Sequence, residues 1–326
     1  MTNFSISRQR FLLRALAGAA ALAAGSRGFA AAAAAASAPA AAPAGALGAG
    51  QPSSTARGAA LLRAAHQVFD SPRVFDDPLA LAIVGAQAEA ALRADPARSR
   101  QSRSLRALVV MRSRHAEDAL SAAFARGVRQ YLVLGAGLDT FACRNPFAGQ
   151  LQVFEVDHPA TQAWKRARLT ASGIAVPPAL TFAPVDFERH TLRSGLEQVG
   201  FRFDRPTFVS LLGVIMYLSR DAAVDTLKLV AALAPGSEIV FDYGVPDAAL
   251  GAQELAARQV AAARVAAAGE PWITWFEPQP LAALLRGLGF SETDNLDPVA
   301  ANARYFANRA DGLALSGSTH VMRARV

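Results

Sequence analysis

The stretch Leu132-Val133-Leu134-Gly135-Ala136-Gly137-Leu138-Asp139-Thr140 decides the fold. With Gln130 and Tyr131 ahead of it, Gln130 to Leu134 is a short apolar, β-prone run that ends in a Gly-x-Gly turn. Glycine at such a turn lets the backbone bend tightly and approach a ligand with no Cβ in the way. In open parallel sheets ligands bind at the C-terminal ends of the strands, so this turn marks the candidate site. A dinucleotide fingerprint would place a third glycine at position 140, where a helix packs and a pyrophosphate sits. The chain has Thr140 there, with Asp139 beside it. An acid is unfavourable next to a pyrophosphate and acceptable next to the sulfonium and amino group of S-adenosylmethionine. An NAD(P)-dependent oxidoreductase on a Rossmann fold is the alternative reading of the turn.

Further along the chain, β-rich runs recur at Gln152 to Val156, Leu180 to Val185, Phe208 to Leu212 and Glu238 to Tyr243. Helical patterns at Ala160 to Ala171 and Arg220 to Ala234 lie between them, and a long one at Leu105 to Arg126 precedes them. Strands alternating with helices imply a mostly parallel sheet with helices on both faces. Leu281 to Leu288 reads as a helix, and Ser291 to Leu296 and His320 to Val326 can supply two last strands.

Acids stand at two further strand ends. Asp157 closes the second run and lies 22 residues beyond Gly135, near the spacing of about 20 at which a carboxylate meets a ribose diol. Its ordinary alternative is a helix N-cap before Pro159. Asp186 and Phe187 close the third run, where the carboxylate could meet an adenine amino group and the ring could cover the base. The ordinary alternative there is a turn aspartate.

Bulk composition bounds the rest. The chain has 326 residues, 52% of them hydrophobic and 18% charged, enough for a substantial core. One cysteine, Cys143, excludes an intrachain disulfide. The five histidines show no metal-ligand spacing, so no metal is expected. The net charge of +7 sits in the first third: residues 1–114 hold 14 Arg and 5 acids, residues 115–326 hold 19 Lys and Arg and 21 acids. Nucleic-acid binding at the glycine turn is therefore not expected. Residues 1–57 form a separate texture, with Arg8, Arg10 and Arg14 ahead of an Ala/Leu run and then an Ala-rich stretch. This reads either as an export signal or as a low-complexity extension. Ser7 to Leu12 resembles a twin-arginine signal in which Gln9 replaces the second arginine, and the apolar run is too short for stable membrane insertion. The globular domain is expected over 58–326.

At this point the motifs combine. Gly127 to Thr140 with Arg144, Val153 to Pro159 with Lys165, Gly213-Val214-Ile215-Met216-Tyr217-Leu218, Phe241-Asp242-Tyr243 and Arg304 to Arg309 together resemble the leucine carboxyl methyltransferase-like family. The likeness is to its bacterial branch of S-adenosyl-L-methionine-dependent methyltransferases. It implies a Rossmann-like α/β class I methyltransferase fold with seven strands, the last antiparallel. It implies S-adenosyl-L-methionine as cofactor, with Arg112 on the methionine carboxylate, Gly135 and Gly137 in the turn near Asp139, Asp157 on the ribose, and Asp186 and Phe187 at the adenine. A bidentate guanidinium suits a carboxylate; taken alone, Arg112 reads as a surface helix charge. Family members that methylate a protein C-terminus carry an acid after the fourth strand. Leu212 stands there here, so a small-molecule acceptor is expected instead.

Methyl transfer from a sulfonium is chiefly a positioning problem, and a base helps only a hydroxyl acceptor. His115, His158, Tyr217 and Tyr243 are the candidates for that base. Tyr217, in an apolar setting, reads as core. Trp272, Trp275 and Phe276 could wall an acceptor pocket or belong to the core. A cofactor-binding member without turnover is a further alternative. Cofactor synthesis in the cytoplasm favours that compartment over export, and the sequence is silent on oligomeric state.

Overall fold

The sheet of the computed structural model runs in the order β3-β2-β1-β4-β5-β7-β6. The structure describes residues 53–186 and 190–326, so the reading of an export signal and that of Phe187 lie outside the described residues. Helices α1 (Ser54–Phe69), α2 (Ala80–Val84), α3 (Ala86–Ala94), α4 (Pro96–Gln101) and α5 (Arg103–Ala125) precede β1 (Gln130–Leu134) and β2 (Gln152–Asp157). Then come α6 (Pro159–Ala171), β3 (Leu180–Pro184), α7 (Leu192–Gln198), β4 (Thr207–Leu211), α8 (Arg220–Ala231) and β5 (Glu238–Gly244). The chain ends with α9 (Ala252–Ala267), α10 (Pro278–Leu288), β6 (Glu292–Leu296), α11 (Pro298–Tyr305) and β7 (Thr319–Arg325). Strands β1 to β5 are parallel, and β7 runs antiparallel between β5 and β6. This is the expected seven-stranded α/β architecture.

Strand alternation sends side chains into two cores. Leu132 and Leu134 join Phe154, Val209 and Leu211 beneath α7, α8 and α10. Tyr131 and Val133 join Val153, Phe208 and the α5 face of Ala107, Val110 and Met111. All five residues of β1 are buried, which accounts for the run Tyr131 to Leu134, while the Gln130 amide is satisfied by Arg202 O at 2.8 Å and Thr207 Oγ1 at 3.1 Å. Local capping fixes where helices start. Ser53 accepts from Ala56 N at 3.1 Å and Ser219 from Ala222 N at 3.2 Å, while Asp297, followed by Pro298, accepts from Ala300 N at 2.8 Å. Helix α1 thus begins at Ser54, ahead of residue 58, where the composition changes. The short helices α2 to α4, α7 and α11 and the Ala-rich α9, none of whose residues is buried, lack the apolar period that would have announced them. Among the described residues no helix is long and apolar enough to cross a membrane.

His115 belongs to this scaffold and not to the turn of β1. It lies buried between α5 and α11, with Nδ1 3.0 Å from the Tyr305 hydroxyl and Nε2 without a hydrogen-bond partner among the described residues. Burial, reinforced by Arg304, pushes its pKa down to about 4. The unfolded imidazole takes a proton near pH 6.5, which the folded one refuses until about pH 4. Stability is therefore expected to fall as pH drops through that window, by up to about 3 kcal/mol. Melting temperatures of wild type and His115→Gln across pH 4–7 test this: the acid-side slope should flatten in the variant, and equal slopes would refute it.

Candidate active site

After β1, the Gly135 and Ala136 N–H groups both donate to Val156 O, at 2.9 and 3.2 Å, tying the turn to the end of β2. Gly135 and Gly137 have φ of +72° and +47°. A Cβ on Gly135 would lie 2.4 Å from Val214 Cγ2, and one on Gly137 would lie 2.9 Å from Ala56 Cβ. The two glycines thus let the loop after β4 and the first turn of α1 close over the β1 turn from two sides. Asp139 Oδ1 accepts from Phe141 N at 2.8 Å and starts the 3-10 turn Phe141–Arg144. Thr140, 1% exposed, donates to Asp77 Oδ2 at 2.8 Å and accepts from Arg144 Nε at 3.1 Å. Arg63 donates to Leu138 O at 2.5 Å and to Asp77 at 3.3 Å. Where a dinucleotide site needs a bare glycine, this chain builds a buried hydroxyl into an ionic network that fixes the turn.

Asp157 accepts from Gly137 N at 2.6 Å and from His158 N at 2.7 Å. It is not the cap of α6: His158 is, through Nδ1 accepting from Ala160 N at 3.2 Å. Burial raises the Asp157 pKa, and the two N–H donors work against that rise. Each oxygen still has a lone pair beyond the one its N–H uses. Beneath it on the same face of β2, Lys165 Nζ donates to Glu155 Oε2 at 2.5 Å, a fully buried pair that joins α6 to the sheet. Asp186, at the end of β3, is half-buried, and its backbone oxygen accepts from His190 N at 2.8 Å.

Arg112, on α5, reaches the end of β5. Its Nη1 donates to Asp242 Oδ2 at 2.7 Å, and Asp242 Oδ1 accepts from Gly213 N at 2.5 Å. Asp242 is fully buried, and Arg112 Nη2 lies 2.6 Å from where a Cβ on Gly213 would stand. Asp242 is the residue that sequence reasoning left without a role. Its signals are an acid that interrupts the apolar run Ile239-Val240-Phe241 and its place in the motif Phe241-Asp242-Tyr243.

The tyrosines separate. Tyr243, expected as a weak candidate base, is fully buried, donates to Asn295 Oδ1 at 2.8 Å and packs edge-on to Phe276. It is a core residue. Tyr217 is not the core residue it was expected to be. It ends the 3-10 turn Ile215–Tyr217 after β4, is half-buried, and its hydroxyl faces Thr55 of α1 and the Trp272 indole. Burial pushes the phenol pKa up, Glu270 adds to the rise, and Trp272, Thr55 and Arg112 oppose it. The segment from Trp272 is pinned across this turn: Ile273 N donates to Met216 O at 2.8 Å and Thr274 Oγ1 to Leu218 O at 2.5 Å. Trp272 and Trp275 meet edge to face at 6.1 Å, whereas Phe276 is core. The Trp272 Nε1–H is buried with no acceptor among the described residues. His158, with Nδ1 committed to its cap, lies beside Asp157 at the end of β2.

A sequence model of the leucine carboxyl methyltransferase family matches residues 56–231. YktD of Bacillus subtilis, named as an S-adenosyl-L-methionine-dependent methyltransferase, is 32% identical over 299 residues, covering 84% of this chain and 98% of that protein. A Frankia alni protein named in the same way is 32% identical over 259 residues, covering 77% of this chain and 87% of that one. The crystal structure of a protein named as a methyltransferase from Thermobifida fusca superposes with a TM-score of 0.50 at 21% identity over 82% of this chain and 93% of that one, a likeness of fold. The chain belongs to the leucine carboxyl methyltransferase family and is an S-adenosyl-L-methionine-dependent methyltransferase.

Proposed function

We propose that this enzyme O-methylates a small-molecule acceptor through a carboxylate or hydroxyl, and that Arg112, Gly135, Gly137, Asp139, Asp157, Asp186 and Phe187 hold its cofactor. When bound, the cofactor supplies a methyl group on a good leaving group, so positioning is the protein's main task. The residues fit such a molecule. Asp157 offers a carboxylate already steadied by two N–H donors for a ribose diol, and Arg112 brings a cation, anchored by Asp242, to the end of β5 for the methionine carboxylate. The observation that carries the choice of oxygen is the Tyr217 hydroxyl beside the buried Trp272 Nε1–H. Two polar groups among the aromatic side chains of Trp272 and Trp275 suit an acceptor oxygen. Residues from Ser53, the cap of α1, to 326 would carry this activity in the cytoplasm, a start slightly ahead of residue 58.

The test incubates the enzyme with methyl-tritiated cofactor and a panel of aromatic carboxylates, phenols, amines and thiols. Label is expected in esters, which release methanol in base, or in ethers, which do not. Label confined to nitrogen or sulfur would overturn the choice of oxygen.

A further inference from the structure

The first turn of α1 lies against the turn after β1, where a Cβ on Gly137 would stand 2.9 Å from Ala56 Cβ. It also reaches α6 close to Asp157, through Ser53 N donating to Thr161 Oγ1 at 3.4 Å. What holds it there comes from the other end of the chain. Glu270 lies in the connection between α9 and α10. Its Oε1 accepts from Ser54 N at 2.9 Å and from Ser54 Oγ at 3.4 Å. Its Oε2 accepts from Ser53 Oγ at 3.3 Å and from Thr55 Oγ1. Ser53 Oγ and Thr55 Oγ1 meet each other at 3.0 Å. One carboxylate thus gathers three consecutive residues, at the positive end of the helix dipole. Its own segment is fixed to the turn after β4 by the Ile273 N and Thr274 Oγ1 bonds. The body of α1 is anchored separately: Arg63 and His66 are buried and bonded to Leu138 O, Asp77 and Asp70. Between that body and the first turn stands Gly58. A Cβ there would meet nothing within 4 Å, so packing gives no reason for a glycine, and glycine inside a helix weakens it relative to alanine.

We infer that Glu270 is a latch: it holds the first turn of α1 closed over the cofactor, and that turn swings about Gly58 to let the cofactor in and its spent form out. The inference rests on the reading of Gly137 and Asp157 as cofactor residues. Glu270 is a positioning residue, acting through α1 and not through the reacting atoms. A closed turn obstructs entry and exit alike, so a latch slows both rates together and leaves the affinity nearly unchanged. A residue that only touches the bound molecule slows exit alone.

Surface plasmon resonance on the immobilised full chain, with S-adenosylhomocysteine as probe, reads both rates. Glu270→Gln should raise the association and release rates each at least about tenfold, the worth of one charged hydrogen bond, while the dissociation constant moves less than about threefold. Ser54→Pro removes the N–H that Glu270 accepts, yet proline suits a first helical position. Ser53, at φ −57° and ψ 124°, already has the backbone that precedes a proline. This variant should raise both rates in the same way without lowering the melting temperature. Gly58→Ala stiffens the hinge and should slow both rates by about three- to fivefold. Faster release with unchanged association in Glu270→Gln would make Glu270 a contact of the bound molecule and overturn the latch. A lower melting temperature with both rates unchanged would make it a structural clamp, with the same consequence. Gly58→Ala that exchanges cofactor at or above the wild-type rates overturns the hinge. The site itself is tested separately: if Asp157→Ala binds like wild type, the cofactor reading fails, whereas unchanged rates in the Glu270 and Ser54 variants beside a weakened Asp157→Ala refute the latch alone.

Discussion

Asp157→Ala is expected to weaken binding of S-adenosylhomocysteine at least about 100-fold. Two ribose hydroxyls would each give a hydrogen bond to a charged acceptor, worth roughly 1.5–3 kcal/mol apiece. Losing both costs about 3–6 kcal/mol, or roughly two to four decades in dissociation constant. The variant also frees the Gly137 and His158 N–H groups that the carboxylate holds at 2.6 and 2.7 Å, so the turn loosens as the ribose contact goes. Asp157→Asn should fare little better, because its amide can accept from one N–H but presents its own donors to the other. Titration calorimetry measures this directly, and wild-type affinity in Asp157→Ala would remove the ribose role.

The second large effect is on stability. Asp242→Ala should lower the melting temperature by about 10 °C. It leaves the nearly buried Arg112 guanidinium without its counter-ion and the Gly213 N–H without its acceptor. Breaking a buried pair on one side costs about 3–5 kcal/mol, and each kcal/mol moves the midpoint of a domain this size by about 2–4 °C. Replacing both partners, Arg112→Met with Asp242→Leu, should recover much of the loss because no uncompensated charge remains. A double variant that melts no higher than Asp242→Ala would show that the pair itself is not what the fold relies on.

Strands β1 to β5 were legible because each is a short, largely apolar run that ends at or just before a glycine or an acid. β1 falls at Gln130–Leu134 as read, and β4 ends one residue early because the chain turns after Leu211 to place Gly213 against Asp242. The acids at strand ends, Asp157 and Asp186, stood out for the same reason: they interrupt apolar runs. What closes the site was not. Val214 on Gly135, Ala56 on Gly137 and Glu270 on Ser54 join residues far apart in sequence, and no local period announces such contacts. Tyr217 read as core because its neighbours Ile215, Met216 and Leu218 are apolar, yet the 3-10 turn swings its hydroxyl toward α1 while Ile215 stays inside. Tyr243, read as a candidate base, lies in the core for the converse reason. Asp242 and Tyr243 are consecutive in a strand and so point to opposite faces, the first toward Arg112 and the second into the core.

The place of β7 bears on how the protein comes into being. Its strand is the last in the chain, yet it sits inside the sheet, and it is the neighbour with which β6 pairs. During synthesis β1 to β5 can assemble in order, but the outer edge of β5 stays bare and β6 waits unpaired until Thr319–Arg325 has emerged. Completion of the sheet therefore waits on β7, and for that interval the nascent chain presents the open strand edge that invites association with other chains.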